Sequence, residues 1–535
     1  MRYISLKKLV SCLIIVLICA TAMGTAVYGA EAEVKYGDFG AAGDGVTDDF
    51  GAIFAAHAYA NEHNLPVRAH PGATYYIGRI DEPAEVQTST DWTSAEFIID
   101  DSGIEIGQGH NVNIFVVTSK LPRQDITGVS TLKKGQETLD IALERESLIF
   151  VEDNTTRRYI RRGANANDGA TQREVFLADK NGNVDPDGPI IWDYDNITTM
   201  QAIPVDDETL TLKGGTFTTR ANKLVGGNSY FNRGIQIRRS NVVVDGLEHY
   251  VTGEPDERCA PYAGILLIND SANVLVQNSV FSGRRQAVHG SYDIQLGNAV
   301  NVTFKNCTQA NDIHDRSLWG VMGANYMKNI TYDTVSLSRF DAHAGVYNAA
   351  VKNSVIGHAG ITLIGGGTFL LENTAVHSTH LISFREDYGS TWEGELVIRG
   401  CVFKPSNNND PVVFGVRNDG MHDFGYKTYM PRKITIDGLL IDDVNPGFFR
   451  PQQPYYNYGP SLFGAFHPYG NDALYFTLFW DWLTSRFSPP PHPIQLTREV
   501  RMRGVKVASG RRLRVSKNIF RVRTCLFRNM KVRKF

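Results

Sequence analysis

The middle of the chain concentrates side chains that can exchange protons or hold charge. Six of the fourteen histidines lie within 92 residues, at positions 289, 314, 343, 358, 377 and 380, which is more than twice the average density. Imidazole, carboxylate and guanidinium groups close together can move a proton and stabilise a developing charge. The candidate catalytic residues are His314, Asp315, Arg316, Asp341, His343 and Arg385. The candidate substrate-binding residues are Arg285, Tyr347, His358, His380, Asp387, Tyr388 and Trp392.

One chemistry that suits this set is β-elimination on a uronic acid polysaccharide. A base removes the proton α to a carboxylate, while cations hold the growing charge of that carboxylate. The candidate bases and acids are His343, His314 and Tyr347, and the candidate neutralising groups are Arg316, Arg385 and Arg285. A Ca²⁺ ion could assist the arginines, although no metal site is assigned. The potential ligands of that ion are Asp315, Asp341 and Asp387.

Two other functions fit the same residues. In hydrolysis, paired carboxylates such as Asp315 and Asp341 flank the glycosidic bond. We favour elimination because arginine and histidine outnumber obvious carboxylate pairs in this region. The third function is non-catalytic carbohydrate binding, in which the face of an aromatic ring such as that of Trp392 stacks on a sugar. Trp319 and Tyr326 are expected to fill the core instead.

A series of short alternating strands, each closed by Asn, Gly or Thr, must position these residues. The closing residues are Gly246, Asn278, Asn306, Thr334, Asn353, Asn373, Gly400, Gly438 and Gly504. Their spacings of 19 to 38 residues, with one gap of 66, are typical of a solenoid and too irregular for a β-propeller. Asparagines at these turns are expected to form a side-chain ladder along the stack.

The solenoid predicts that scattered candidates share one wall. Side chains at equal distances after the closing residues should lie above one another, about 4.8 Å apart per coil. Arg285, Asp341 and His380 follow a closing residue by seven positions, and Asp315 and His343 by nine. We therefore expect these side chains to line one cleft.

The beginning of the chain carries an entry motif. Glycines at positions 37, 40, 43 and 45 permit tight bends, and Asp48 or Asp49 can then cap a helix that ends near Asn64. Residues 34 to 80 resemble the beginning of the pectate-lyase-like superfamily of secreted proteins. The resemblance implies an all-β fold, a single-stranded right-handed parallel β-helix with an N-terminal capping helix and irregular insertions. It also implies a polysaccharide lyase or a related glycoside hydrolase.

The segments predicted from the sequence differ in composition. They are a signal peptide (1–32), an N-terminal cap and first coil (33–80), early coils with an inserted β subdomain (81–230), main coils (231–450), an aromatic and Pro-rich insertion (451–493) and a basic final coil or tail (494–535). Residues 1–32 combine a basic start, an apolar run too short to span a bilayer and an Ala-Glu-Ala cleavage site. We therefore expect a secreted protein with no stable membrane insertion after cleavage.

Charge is distributed unevenly along the chain. Residues 498–535 carry 14 basic residues and one acidic residue, which leaves 40 basic and 56 acidic residues for the rest. A body this acidic is not expected to bind nucleic acid, so the predicted partner is a polysaccharide.

Overall fold

The computed structural model describes residues 33–105, 110–161, 166–225, 229–255, 259–285, 290–389, 391–406, 411–416, 426–444, 459–463, 495, 497–516 and 531–534. The predicted signal peptide and most of segment 451–493 lie outside these residues. Among the described residues, no helix has the length and apolar character needed to cross a membrane.

Most of the described chain winds into a parallel β-helix. Strands of successive coils pair in parallel within one 28-stranded sheet, so the predicted all-β solenoid is confirmed. The strands before an insertion are β1 (Val34–Lys35), β2 (Asp44–Asp48), β3 (Val67–Arg68), β4 (Thr74–Ile77), β5 (Ala84–Val86), β6 (Thr90–Asp100) and β7 (Phe115–Thr118). The insertion contains β8 (Gln124–Asp125), β9 (Ser147–Arg158), β10 (Ala170–Ala178) and β11 (Thr199–Pro204).

The main coils follow the insertion. Their first strands are β12 (Leu210–Arg220), β13 (Ile235–Arg238), β14 (Val242–Asp245), β15 (Glu248–Thr252), β16 (Leu266–Gln277), β17 (Val280–Phe281), β18 (Ile294–Lys305), β19 (Thr308–Gln309), β20 (Met322–Asn325), β21 (Lys328–Asp333) and β22 (Ser336–Lys352). The later strands are β23 (Val355–Glu372), β24 (Ala375–Ser378), β25 (His380–Ser383), β26 (Trp392–Pro405), β27 (Val412–Gly415), β28 (Lys433–Ile441), β29 (Ser461–Phe463), β30 (Glu499–Val507), β31 (Arg514–Ser516) and β32 (Lys531–Lys534).

The units predicted from the sequence form one continuous stack. Residues of one inward-facing column pair from coil to coil in the order Val244, Val276, Phe304, Tyr332, Val351, Leu371, Ile398, Ile436 and Met502. All of them are buried. Because side chains alternate across a strand, stacking one short strand on the next buries a continuous apolar core that no single coil could bury alone.

A helix closes the N-terminal end of the stack. Helix α1 (Phe50–His63) begins after Asp49 and ends at Asn64, which adopts a left-handed conformation. The buried imidazole of His57 lies 2.9 Å from the hydroxyl of Tyr36, and that hydroxyl accepts a hydrogen bond from the indole of Trp92. The cap therefore joins the first coils through a polar contact inside an otherwise apolar core.

Two asparagine ladders run along the coils. The predicted ladder joins Asn306 to Asn278 at 3.3 Å and Asn373 to Asn353 at 3.2 Å through their side-chain amides. A second ladder, which the sequence analysis missed, joins residues Asn241, Asn273, Asn301, Asn329 and Asn348 with hydrogen bonds of 2.9 to 3.2 Å. These asparagines have φ between 47° and 58°, a left-handed region that asparagine tolerates better than most residues.

The insertion forms an antiparallel sheet outside the coils, which we call the insertion sheet (β8 to β11). Its strands lie in the order β10-β9-β11-β8. Leu148, Val175 and Ile203 of the insertion sheet pack against Ala272 and Val300 of the β-helix. The insertion sheet therefore covers part of one face of the coils.

A buried ion pair fastens the insertion sheet to that face. The ammonium nitrogen of Lys328 on β21 lies 2.6 Å from Oε2 of Glu174 on β10. It also donates to the backbone carbonyls of Pro189 at 2.5 Å and Gly188 at 3.3 Å. The side chains of Lys328 and Glu174 are only 2% and 3% exposed. Removing one of them would therefore leave the charge of the other buried and unpaired.

We predict that Lys328→Met lowers the free energy of unfolding by about 3 kcal/mol, because the Glu174 carboxylate loses its buried counter-charge. The double variant Lys328→Met/Glu174→Gln should recover part of that loss. Urea denaturation and limited proteolysis within the insertion sheet measure the effect. Lys305→Met, which changes an exposed lysine of β18, is the control and should change stability by less than about 0.5 kcal/mol. Equal stability of the Lys328 and Lys305 variants would contradict the role of this pair.

Candidate active site

Three neighbouring coils bring part of the candidate set together. Asp341 and His343 lie on β22, and Asp341 pairs with Thr362 of β23. Thr362 pairs in turn with Ser383 of β25, and Arg385 follows two residues later. Residues 42 positions apart in the sequence, His343 and Arg385, therefore touch.

His343 is held at both ring nitrogens. Its Nδ1 lies 3.3 Å from Oδ2 of Asp341 and 3.0 Å from Nη1 of Arg385. Its Nε2 lies 3.3 Å from the hydroxyl of Tyr388, which belongs to a short 3-10 helix (Glu386–Tyr388). Asp341 is fully buried and also pairs with Arg339 at 2.8 Å. Asp341 therefore acts behind the imidazole, where it can orient and stabilise His343 but cannot touch a substrate.

Two arginines share one aspartate beside this histidine. Arg385 binds Asp387 through Nε at 3.0 Å and Nη2 at 2.6 Å. Arg161, which follows β9 of the insertion sheet, places its Nε 2.6 Å from the same carboxylate. Both guanidinium groups lie over the ring of Tyr388, at 4.9 and 5.6 Å from its centre. These three residues therefore carry two positive charges and one negative charge.

Burial and charge set the protonation of the cluster. Burial alone would raise the pKa of Asp341, but the positive charges of Arg339 and of its neighbours hold that pKa below its usual range. Burial would likewise lower the pKa of Arg385, but its hydrogen bonds to Asp387 raise it. Burial raises the pKa of Tyr388, so its hydroxyl keeps its proton at neutral pH. The site therefore offers an imidazole backed by a carboxylate and a phenol that can donate.

A cavity of about 390 Å³ opens beside His343 and Tyr388. The β-helix supplies one wall, and four residues of the insertion lie opposite it: Tyr159, Asn167, Gly169 and Ala170. The other lining residues are Tyr230, Tyr292, Gln295, Gly323, Asn325, Tyr326, His343, Ala344 and Tyr388. The described lining is therefore rich in aromatic rings and amides and contains no carboxylate.

Other candidates gather around a different turn, between β19 and β20. Arg285 forms a β-bridge with Leu318 in this region. Asp315 and Arg316 are exposed there, and the convergence of His314, Asp315 and Arg316 with His343 on one wall stays a prediction. This turn is longer than the connection that precedes His343, so equal offsets from a closing residue need not reach equivalent positions on the wall.

Three further candidates lie outside the lining of this cavity. Nε2 of His358 lies 3.1 and 3.2 Å from the carbonyl oxygens of Asp315 and Leu318, so it holds their turn rather than a substrate. His380 is half-buried on β25. Tyr347 is half-buried at a separate cavity, considered below.

The predicted stacking of Trp392 on a sugar is wrong. Its ring is 0% exposed and lies 6.3 Å from the ring of Phe369, and its indole N–H donates to the carbonyl of Gly367. A fully buried ring offers no face to a ligand. Tyr326, predicted to be a core residue, is buried against Tyr159 but still lines the cavity.

The potential calcium ligands do not converge. Asp387 is engaged by two arginines, Asp341 by Arg339, and Asp315 lies at the other turn. Among the residues that the structure describes, no three histidine, cysteine or acidic side chains are grouped so as to hold a metal ion. The carboxylates of Asp341 and Asp387 therefore form ion pairs with arginines.

The contribution of the insertion to this site could not be predicted from the repeat. Arg161 and Tyr159 lie outside the repeating units, so no offset could place them near Arg385. Arg339 was detectable in principle, since it precedes Asp341 by two residues on the same strand. Tyr230 and Tyr292 carry no spacing signal at all.

No protein-family model matches the chain, and no curated protein matches its sequence. Solved structures of similar fold include the tailspike gp61 of Pseudomonas phage phi297, at 13% identity and a TM-score of 0.47, covering 89% of this chain and 80% of that one. The Gp54 tailspike of Acinetobacter baumannii bacteriophage AP22, in complex with capsular saccharide, matches at 11% identity and 0.46, with coverages of 91% and 77%. PfbA, a surface adhesin of Streptococcus pneumoniae, matches at 12% and 0.40, with coverages of 94% and 91%. Membership of the pectate-lyase-like superfamily stays a prediction.

A contact between two histidines makes a pH dependence of stability testable. His314 lies in the turn between β19 and β20, and His377 lies on β24. The rings of His314 and His377 lie 4.5 Å apart. Burial, and then the charges of His314 and Lys404, lower the pKa of His377 to about 4 from 6.5. The unfolded chain takes up a proton near its ordinary value of about 6.5, whereas the folded site resists until about pH 4. The stability due to neutral His377 is therefore present above pH 6.5 and lost as the pH falls towards 4.

We predict that His377→Asn flattens the fall of the thermal midpoint between pH 7 and about pH 4. His63→Asn, which changes an exposed histidine of α1, is the control and should keep the wild-type slope. Thermal unfolding across this pH range provides the measurement. Identical slopes for the wild type and the His377 variant would show that this histidine does not titrate as described.

Proposed function

We propose that this protein binds an acidic polysaccharide in the cavity beside His343 and cleaves it by β-elimination at a uronic acid unit. One observation carries the proposal: a histidine–tyrosine pair lines a cavity whose described lining has no carboxylate, and two arginines that share one aspartate lie next to this pair. The surplus positive charge suits the carboxylate of a uronic acid.

The substrate carboxylate would be neutralised by the arginines. Arg385 already places Nη1 at the edge of His343, and Arg161 reaches Asp387, the partner of Arg385, from the insertion. When Nδ1 of His343 carries the proton and donates a hydrogen bond to Asp341, it no longer accepts from Nη1 of Arg385, which becomes available for the substrate carboxylate. Neutralising that carboxylate makes the adjacent C–H more acidic, because the developing enolate charge is stabilised.

In the proposed elimination, His343 acts as the base and Tyr388 acts as the acid. Nε2 of His343 accepts the proton α to the carboxylate, the electron pair forms a carbon–carbon double bond, and the bond to the glycosidic oxygen breaks. The hydroxyl of Tyr388 protonates the leaving oxygen. Because the two groups lie 3.3 Å apart, the proton on His343 can then return to the tyrosinate and restore the site.

Hydrolysis has less support at this cavity. A glycoside hydrolase of the usual kind needs two carboxylates beside the glycosidic bond. Asp341 is buried behind His343, and Asp315 is exposed at the other turn. Non-catalytic binding would use the same cavity, and turnover measurements separate it from elimination. A polymer substrate is also consistent with the secretion predicted for residues 1–32.

We predict that His343→Asn and Tyr388→Phe each lower kcat at least about 100-fold, because each removes a proton-transfer group. The assay follows the ultraviolet absorbance of the unsaturated product on a panel of uronic acid polymers. His63→Asn and Tyr59→Phe, exposed positions on α1, are matched controls and should keep wild-type rates.

Three outcomes would count against the proposal. Unchanged turnover in both site variants would show that the chemistry lies elsewhere. New reducing ends without the absorbance would favour hydrolysis. Binding of a polymer by the wild type without any turnover would favour a carbohydrate-binding function.

A further inference from the structure

A second cavity, of about 490 Å³, lies on the other side of Tyr159, the residue that lines both cavities. Its floor is formed by backbone of Gly365, Gly366, Gly367 and Gly394. A Cβ at Gly365 would come 1.9 Å from the carbonyl oxygen of Val346, so this floor has to be free of side chains. The volume lies within the range of ordinary ligand sites.

Charged residues ring this cavity, and the positive ones prevail. Glu393 pairs with Lys134 at 2.9 Å, and Glu395 lies 3.4 Å from Arg432. Lys427 and Arg498 also line the cavity and are exposed. Within the described part of the chain, neither forms an ion pair. The rim therefore has four cations and two anions.

A further cation, Arg158, lies beside the cavity. The guanidinium of Arg158 lies 4.1 Å from the ring centre of Trp192 and 5.1 Å from that of Tyr426, both of which line the cavity. Its Nε donates to Gln172, and no carboxylate pairs with it among the described residues. A half-buried guanidinium without a counter-charge adds positive potential to this wall.

Aromatic rings complete the wall. Tyr347 and Tyr429 line the cavity and are half-buried, so part of each ring stays accessible. Aromatic faces beside cations suit an acidic sugar unit better than a simple anion, because the rings can pack on the sugar while the cations pair with its carboxylate. The described lining contains no histidine, so the proton-transfer pair of the first cavity is not repeated here.

We infer that this cavity is a second binding site for acidic polysaccharide, which holds uronic acid units of the polymer without cleaving them. The inference rests on the proposed function for its ligand class. Because Tyr159 separates the two cavities, one long chain can occupy both, whereas a short fragment occupies one. The second site would then increase the affinity for polymers more than for short fragments.

The test uses the full chain with His343→Asn, so that no probe is cleaved. Immobilised polygalacturonate, alginate and hyaluronan serve as acidic probes, and dextran is the neutral one. The variant Lys427→Glu/Arg498→Glu should bind the best acidic probe at least tenfold more weakly. The matched control Lys506→Glu/Arg512→Glu makes the same charge change at exposed residues on β30 and between β30 and β31, and should stay within twofold.

The outcomes separate this inference from the proposed function. Equal binding by the cavity variant and the control overturns the second site, as does retention of dextran alone or of no probe. If the wild type cleaves no polymer but the cavity variant alone loses binding, the second site stands and the proposed elimination fails. In a cleaving background, the cavity variant should keep kcat on short fragments and raise KM on the polymer.

Discussion

The parallel pairing of one coil with the next is the constraint on which the site depends. Each strand hydrogen-bonds to its equivalent one coil away, so side chains at paired positions must lie on one face, about 4.8 Å apart. This pairing brings β22, β23 and β25 side by side and sets Arg385 against His343. The apolar columns and asparagine ladders keep the coils in that register, and the contact between Arg385 and His343 depends on that register.

The insertion sheet turns an open face of the β-helix into a pair of cavities. The coils supply His343, Tyr388 and the buried carboxylate of Asp341, while the insertion supplies Tyr159 and the arginine that shares Asp387. The buried contact between Lys328 and Glu174 holds the insertion against the coils. The described lining of each cavity therefore combines residues of the coils with residues of the insertion.

The sequence predicted the stack well because its signals are local. Alternating strands, closing asparagines and the capping helix each reflect a few neighbouring residues, and the structure places them as expected. Equal offsets are a weak guide to the wall, because the connections between strands differ in length from coil to coil. Asp341 touches His343, whereas Asp315 lies in the long turn between β19 and β20. The position of Arg161 could not be predicted from the repeat, because this residue lies in the insertion.

The central claim is that the arginines neutralise a uronic acid carboxylate while its neighbouring C–H faces the imidazole. The most direct measurement is a crystal structure of the His343→Asn protein with an acidic oligosaccharide selected by the polymer panel. The account predicts the carboxylate within hydrogen-bonding distance of Arg385 or Arg161 and the glycosidic oxygen beside the Tyr388 hydroxyl. A saccharide bound with its carboxylate directed away from both arginines would contradict it.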